Sequence, residues 1–356
     1  MDRISCAVIP GDGIGKEVVA EGVRVLQAAA ELDGGFTFDF TEFPWGCEYY
    51  AANGEMMPQE GLQILRDFEL IFLGAVGYPG VPDHVSLWGL LIPIRRTFQQ
   101  YINLRPCRLL RGVESPLRDK APGSIDLVVV RENSEGEYSN MGGRIHEGTP
   151  MEMAVQNTVF TRTGTERVVR YAYELANARG KHLTSATKSN GINITMPYWD
   201  EIVSEVGADF PDVRTDAYHI DALAAYFVTR PESFDVVVGS NLFGDILSDL
   251  SAAVMGGIGM APAANLNPER VYPSMFEPVH GSAPDIAGRG VANPVGQIWT
   301  TKMLLDHIGR EELGQALLDS IEDVLAEGQV RTPDLGGRAT TSEMADAIIE
   351  RLQSRG

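Results

Sequence analysis

The stretch Asn241-Leu-Phe-Gly-Asp-Ile-Leu-Ser-Asp-Leu-Ser-Ala-Ala-Val-Met-Gly-Gly-Ile-Gly-Met260 decides how this chain is read. It follows residues 235–239, DVVVG, a short valine-rich run with strand character. A strand leading straight into a helix puts the helix start at the carboxyl end of a sheet, where α/β proteins build their sites. Asp245 and Asp249 are four residues apart. On a helix they share one face, with Cβ atoms roughly 5–6 Å apart. Two carboxylates placed together repel unless a cation or a proton intervenes. Hard oxygen ligands suit Mg²⁺ or Mn²⁺ better than zinc. The alternative is a capping Asp245 and a solvated Asp249. The Met-Gly-Gly-Ile-Gly-Met run that follows favours the cation, because it invites close backbone approach.

Outward from this stretch the chain alternates strand and helix. Residues 4–9, 70–73, 126–130, 182–187, 213–218 and 235–238 read as strands, and 36–40 alternates with a period of two. Helical spacing fills residues 16–32, 165–179, 221–227, 298–308, 311–327 and 342–352. This rhythm predicts a mostly parallel α/β sheet flanked by helices. Residues 135–148 are polar and Gly-rich, and 153–161 are strand-like, so an arm is expected near 137–160. Residues 256–296, rich in Gly, Pro, Ala and Asn, read as functional loops.

Charge and composition exclude several classes. The 356 residues hold 29 Lys plus Arg against 49 Asp plus Glu, a net charge of −20. Binding a nucleic acid or an anionic membrane needs a basic face that this balance disfavours. A hydrophobic fraction of 44% excludes general disorder. The apolar runs are far too short to span a bilayer, and the first residues carry no secretory pattern. Cys6, Cys47 and Cys107 have no metal-ligand spacing and fit a reducing cytoplasm. Only five basic residues are lysines: Lys16, Lys120, Lys181, Lys188 and Lys302.

The first glycine turn, Gly11-Asp-Gly-Ile-Gly15, fails both common nucleotide motifs. A P-loop would need glycine at position 10 and a hydroxyl at 17, where the chain has Pro10 and Glu17. A dinucleotide fingerprint begun at Gly11 or Gly13 needs its third glycine where Lys16 or Val18 stands.

The segment from Asn241 resembles the signature of the metal-dependent β-decarboxylating dehydrogenases, the family of isocitrate, 3-isopropylmalate, homoisocitrate, D-malate and tartrate dehydrogenases. The likeness spans nearly the whole chain. IPGDGIGKE at 9–17 resembles the family's first βα turn. Arg95 and Arg105 in IRRTFQQYINLRP, Arg131 in VVVREN and Tyr138 in GEYS match its substrate segment. Lys188 in ATKSN and Asp221 in HIDAL match two further catalytic positions, and EPVHGSAPDIAG at 277–288 with Asn293 resembles its cofactor loop.

The resemblance implies an isopropylmalate-dehydrogenase-like fold, not a Rossmann fold. It implies an outer NAD-binding domain (1–102 with 257–356) and a central substrate, metal and dimerisation domain (103–256), with closure between them. Arg95, Arg105 and Arg131 would clamp the carboxylates of a 2-hydroxydicarboxylate with planar forks. Asp221, Asp245 and Asp249 would hold the Mg²⁺ or Mn²⁺, Lys188 would act as general base, and Tyr138 would protonate the enol carbon. Ile14, His280, Gly281, Ser282, Ala283, Asp285, Ile286 and Asn293 would receive the cofactor. A carboxylate at Asp285 accepts from ribose hydroxyls and repels a 2′-phosphate, which favours NAD over NADP. Lys188 and Asp221 would come from the neighbouring subunit, so a homodimer is expected, with 247–255 and the arm at its interface.

Substrate choice is read from GVPDHVSLWGLLIPIRR at 80–96. Isocitrate enzymes carry a serine and an asparagine where this chain has Gly89 and Leu91. Trp88 stands where isopropylmalate enzymes place an acid. A Trp there suits a small C4 substrate, and the stretch resembles the branch acting on tartrate and D-malate. The alternatives are 3-isopropylmalate as substrate, or a non-catalytic regulatory or nucleotide-binding relative.

Overall fold

A computed structural model describes residues 2–355. It divides into two compact units. The first holds the chain up to Gln100, Arg105–Ile125 and the chain from Ala252 on. The second holds Tyr101–Leu104 and Asp126–Ser251. Residues 105–125, expected in the central domain, thus group with the first unit.

The first unit begins β1 (Asp2–Gly11), α1 (Gly15–Asp33), β2 (Phe36–Glu42), α2 (Cys47–Asn53), α3 (Gly61–Leu65), β3 (Leu70–Ala75) and α4 (Asp83–Ser86). A π-helical turn, Leu87–Leu91, leads into α5 (Ile92–Thr97). β4 (Ile102–Arg108) has residues in both units. The second unit continues β5 (Asp126–Glu132), β6 (Gly142–Ile145), β7 (Met153–Gln156), α6 (Arg162–Ala178), β8 (His182–Thr187), α7 (Thr195–Gly207), β9 (Arg214–His219), α8 (Ile220–Thr229), β10 (Val236–Gly239) and α9 (Asn241–Val254). The first unit then resumes with β11 (Pro262–Leu266), β12 (Ser274–Pro278), α10 (Val295–His307), α11 (Glu311–Glu327) and α12 (Thr341–Gln353).

In the first unit the strands lie in the order β2-β1-β3-β12-β11, parallel except where β11 meets β12. In the second the order is β5-β10-β8-β9, all parallel. β3 and β10 are buried along their whole length, which is why they read as unbroken apolar runs rather than alternating ones. α1 buries Val18, Val19, Val25 and Leu26 at helical spacing. α12 starts in a capping box, with Thr340 accepting from the Glu343 N–H and Glu343 accepting from the Thr340 N–H. The fold is the mostly parallel α/β architecture that the alternation predicts.

Two local results refine that reading. The stretch 256–296 contains β11 and β12, both fully buried. Pro262, Ala263, Ala264 and Asn265 have little strand preference, so burial and pairing, not propensity, make the strand. Within 137–160, β6 and β7 form a separate antiparallel ribbon, exposed throughout. Among the described residues no helix is long and apolar enough to cross a membrane.

His307 ends α10 and packs against Phe276, ring centroids 5.4 Å apart. Burial, and then the nearby Arg270, push its pKa down to about 4. The unfolded chain takes up this proton near pH 6.5. The folded chain resists until about pH 4, so this stability is complete above pH 6.5 and is lost as pH falls through that window. Replacing the imidazole in His307→Asn is expected to flatten the decline of Tm between pH 6.5 and 4 in calorimetry. An unaltered slope contradicts the assignment.

Candidate active site

In the second unit the site grows from the step between β10 and α9. Ser240 and Glu137 secure the helix start: Ser240 Oγ donates to Glu137 Oε1 at 2.7 Å, and the Leu242 N–H donates to Glu137 Oε2 at 3.1 Å. An acid at a helix start also suits the helix dipole. Gly244 lets the helix lie against β5. A Cβ on it would stand 2.6 Å from Arg131 Cβ, closer than real side chains approach.

That approach brings Arg131, near the end of β5 and 4% exposed, onto α9. Its Nε and Nη2 both donate to Asn241 Oδ1, at 3.1 and 2.7 Å. Its Nη1 forms an ion pair with Asp245 Oδ1. The other oxygen of Asp245 accepts from the Tyr138 hydroxyl at 2.9 Å. The Arg131 guanidinium lies 5.5 Å from the centre of the Tyr138 ring. Three residues expected in one site, Arg131, Tyr138 and Asp245, therefore meet. Asp249 is exposed one turn further along α9.

Lys188 and Asp221 form a second cluster. β8 and β9 are parallel in the register Thr187↔His219, so the residues just beyond each strand lie side by side. Lys188 Nζ donates to Asp221 Oδ1 at 2.7 Å. The Lys188 hydrogen bond, helped by backbone N–H groups, holds the Asp221 carboxyl below its ordinary range. Among the described residues no three His, Cys, Asp or Glu side chains are grouped to hold a metal ion. Within one chain Asp221 thus does not complete a triad with Asp245 and Asp249.

In the first unit Arg95 and Arg105 are each 8% exposed. Arg95 Nη2 pairs with Glu277 Oε1 at 2.7 Å, and Asn265 Nδ2 donates to the same oxygen at 2.7 Å. The Nε of Arg95 is buried without an acceptor. Leu91 packs against the core around Trp45, Met56 and Leu90. Trp88 lies under the Arg96 guanidinium, 5.0 Å from its ring centre. Both Trp88 and Leu91 belong to the π-helical turn, a feature common at functional sites. A Cβ at Gly89 would meet Met56 Cγ at 2.6 Å, so that position resists a serine.

The loop after β12 is tightly shaped. His280 is 7% exposed and its Nδ1 lies 3.0 Å from the Gly281 carbonyl. Burial holds its pKa below the usual value, and Nε2 is buried without a partner. The Ser282 carbonyl accepts from the Ile14 N–H at 2.9 Å. Ala283 adopts a left-handed backbone, with φ 39°. Ala283 and Ile286 pack against Ile14, Val18 and Ala292, while Gly281 and Asp285 are exposed. Asn293 Nδ2 donates to Asp334 Oδ2 at 2.8 Å, and its Oδ1 accepts from the Val295 N–H at 2.9 Å. Asn241, Glu137, Asn265 and Glu277 were not singled out as functional from the sequence. Only their neighbours, Tyr138 and the segments containing them, signal them.

The isocitrate/isopropylmalate dehydrogenase family model matches residues 5–348. The chain belongs to this family and is an oxidoreductase, a decarboxylating dehydrogenase. It is 59% identical to a probable tartrate dehydrogenase/decarboxylase of Bacillus subtilis, covering 99% of both chains. It is 57% identical to the D-malate dehydrogenase (decarboxylating) of Escherichia coli, covering 98% of this chain and 99% of the other. A crystal structure of isocitrate dehydrogenase from Methylococcus capsulatus superposes with TM-score 0.87 at 34% identity, covering 98% of this chain and 99% of that one. The family implies a nicotinamide cofactor and a divalent metal. The residues fit both. The unpartnered His280 Nε2 leaves a buried polar atom in the loop, and Asp245 and Asp249 offer hard oxygen donors.

Gly244→Ala is expected to force α9 away from β5 and to cost about 1–3 kcal/mol. Thermal unfolding measures this. An unchanged Tm would mean that the helix does not depend on the close approach.

Proposed function

We propose that this chain oxidises and decarboxylates a small 2-hydroxydicarboxylate, D-malate and tartrate, using NAD⁺ and Mg²⁺ or Mn²⁺, in the cytoplasm. The observation that carries the reading is Asp245, whose two oxygens are engaged by Arg131 and Tyr138. A metal carboxylate, a carboxylate-binding guanidinium and a proton donor are thereby built into one contact. The tartrate and D-malate relatives support the substrate class. The closeness of Gly89 to Met56 supports a site without the serine that isocitrate enzymes place there.

Arg95, Arg105 and Arg131 hold the two carboxylates, and the buried Nε of Arg95 offers an uncommitted donor. Asp221, Asp245 and Asp249 would hold the divalent ion, and Ile14, His280, Gly281, Ser282, Ala283, Asp285, Ile286 and Asn293 the NAD⁺. When bound, the nicotinamide would supply a hydride acceptor for C2 and the divalent ion an electrophile for the C2 oxygen. Lys188, once deprotonated, takes the C2 hydroxyl proton. Loss of CO₂ from the β-keto acid leaves the enol of pyruvate when D-malate is the substrate. Tyr138 then delivers a proton to C3. Trp88 and Leu91 limit the space for a C3 substituent.

We further propose a homodimer in which Lys188 and Asp221 serve the partner's Asp245 and Asp249. The separation of the carboxylates within one chain supports this. So do the ribbon residues Met141, Ile145, Met153 and Val155, all exposed by 45% or more. On α9, Leu247 and Val254 are buried within the chain, as is Met255 just beyond it, while Ile246, 49% exposed, offers an apolar side chain to a partner.

Absorbance at 340 nm tests the reaction. NAD⁺ reduction is expected with D-malate and tartrate, abolished by a chelator and restored by Mn²⁺. A tenfold preference in kcat/KM for 3-isopropylmalate sinks the substrate assignment, and the absence of any metal-dependent reduction sinks the function. For the shared site, Lys188→Met and Asp245→Asn are each expected to lower kcat at least about 10²-fold. Mixed dimers of the two hold one intact site, so a statistical mixture should recover about a quarter of wild-type activity. No recovery places the site within one chain.

A further inference from the structure

Glu17 lies in the first turn of α1, where the phosphate motifs fail. Both of its oxygens face backbone. Oε1 accepts from the Gly288 N–H at 2.5 Å, and Oε2 accepts from the Gly290 N–H at 2.8 Å. Both glycines hold left-handed conformations, φ 76° and 62°, that other residues rarely adopt. At the other end of the same loop the Ser282 carbonyl accepts from the Ile14 N–H. Gly13 lies so close that a Cβ there would stand 2.1 Å from the Ser282 oxygen. Between these anchors Ile14 and Val18 pack against Ala283, Ile286 and Ala287. The carbonyls of Gly290 and Ala292 are held in turn by Thr341, through its N–H at 2.9 Å and its hydroxyl at 2.7 Å.

Asp285 and Ile286 therefore ride on a loop pinned at both ends to the start of α1. Hydrogen bonds to a charged acceptor are stronger than neutral ones, so the pin at Gly288 and Gly290 depends on the Glu17 charge. It also commits those two amides, which are then not the groups that meet a diphosphate.

We propose that Glu17 is a positioning residue for the nucleotide. Its carboxylate sets the 282–292 loop before binding, so that Asp285 and Ile286 meet the adenosine without an ordering cost at that moment. The proposal rests on the NAD⁺ reading above. The glycine turn thus serves the cofactor through an acid that holds another loop, not through a glycine pattern of its own.

The test is Glu17→Gln, which keeps one acceptor and removes the charge, with Glu17→Asp, too short to reach both amides, as the second variant. Hydrogen exchange on the enzyme without nucleotide should show the Gly288 and Gly290 amides exchanging at least about tenfold faster. The KM for NAD⁺, and the Kd from NADH fluorescence titration, should rise about 5–20-fold. Meanwhile kcat and the KM for D-malate should stay within about twofold. Freed amides with unchanged nucleotide affinity overturn the proposal, as do unchanged exchange rates. A parallel fall in kcat and in the affinity for both substrates marks a merely structural role and overturns it too. If the wild-type enzyme reduces no NAD⁺, the proposed function fails, while the exchange measurement still reports on the loop.

Discussion

Asp245 concentrates the electrostatics of the second unit. Its carboxylate meets a nearly buried guanidinium on one oxygen and a phenol on the other. Arg131 cannot turn away, because Asn241 takes two of its donors. A buried guanidinium without such partners would be strongly unfavourable. The contact exists only because α9 lies against β5, and that requires the missing side chain at Gly244. Helix start, strand end, arginine fork and tyrosine are thus one constraint. The Asn-Leu-Phe-Gly-Asp order of the sequence is its linear record.

A similar economy governs the first unit. Arg95 is held by Glu277, and Glu277 by Asn265, so a residue on α5 takes its orientation from two residues on the β11–β12 pair. The loop beyond β12 is fixed in the same manner by the start of α1. In each case a short polar side chain sets the direction of the group that would meet a ligand. Rigid neighbours hold functional groups more precisely than loops do alone. The net charge of −20 therefore says little about the ligand. A few placed charges receive it, and the remaining acids serve solubility and surface ion pairs.

Much of this was legible in the sequence. The strands around Ile71, Val129 and Val237 announce themselves as short apolar runs, and α1 by the spacing of Val18, Val25 and Leu26. Asp245 and Asp249 could be placed on one helical face from their separation alone. Other features left no local signal. β11 consists of Pro, Ala, Asn and Leu, and becomes a strand because β12 pairs with it. The π-helical turn at Leu87–Leu91, set between α4 and α5, is another such feature.

By itself the sequence determined the alternation of strand and helix over most of the chain, the residue types able to do the chemistry, and the family. Hydrophobic period and local motif are short-range properties, readable within a dozen residues. The tertiary structure alone decided which of those residues meet. It put Tyr138 on Asp245 across 107 positions and Glu17 on Gly288 across 271. It also paired Asp221 with Lys188 rather than with the other two aspartates. Such contacts follow from strand order and close packing of whole elements. No local pattern encodes them, because the partners become neighbours only when the sheets form.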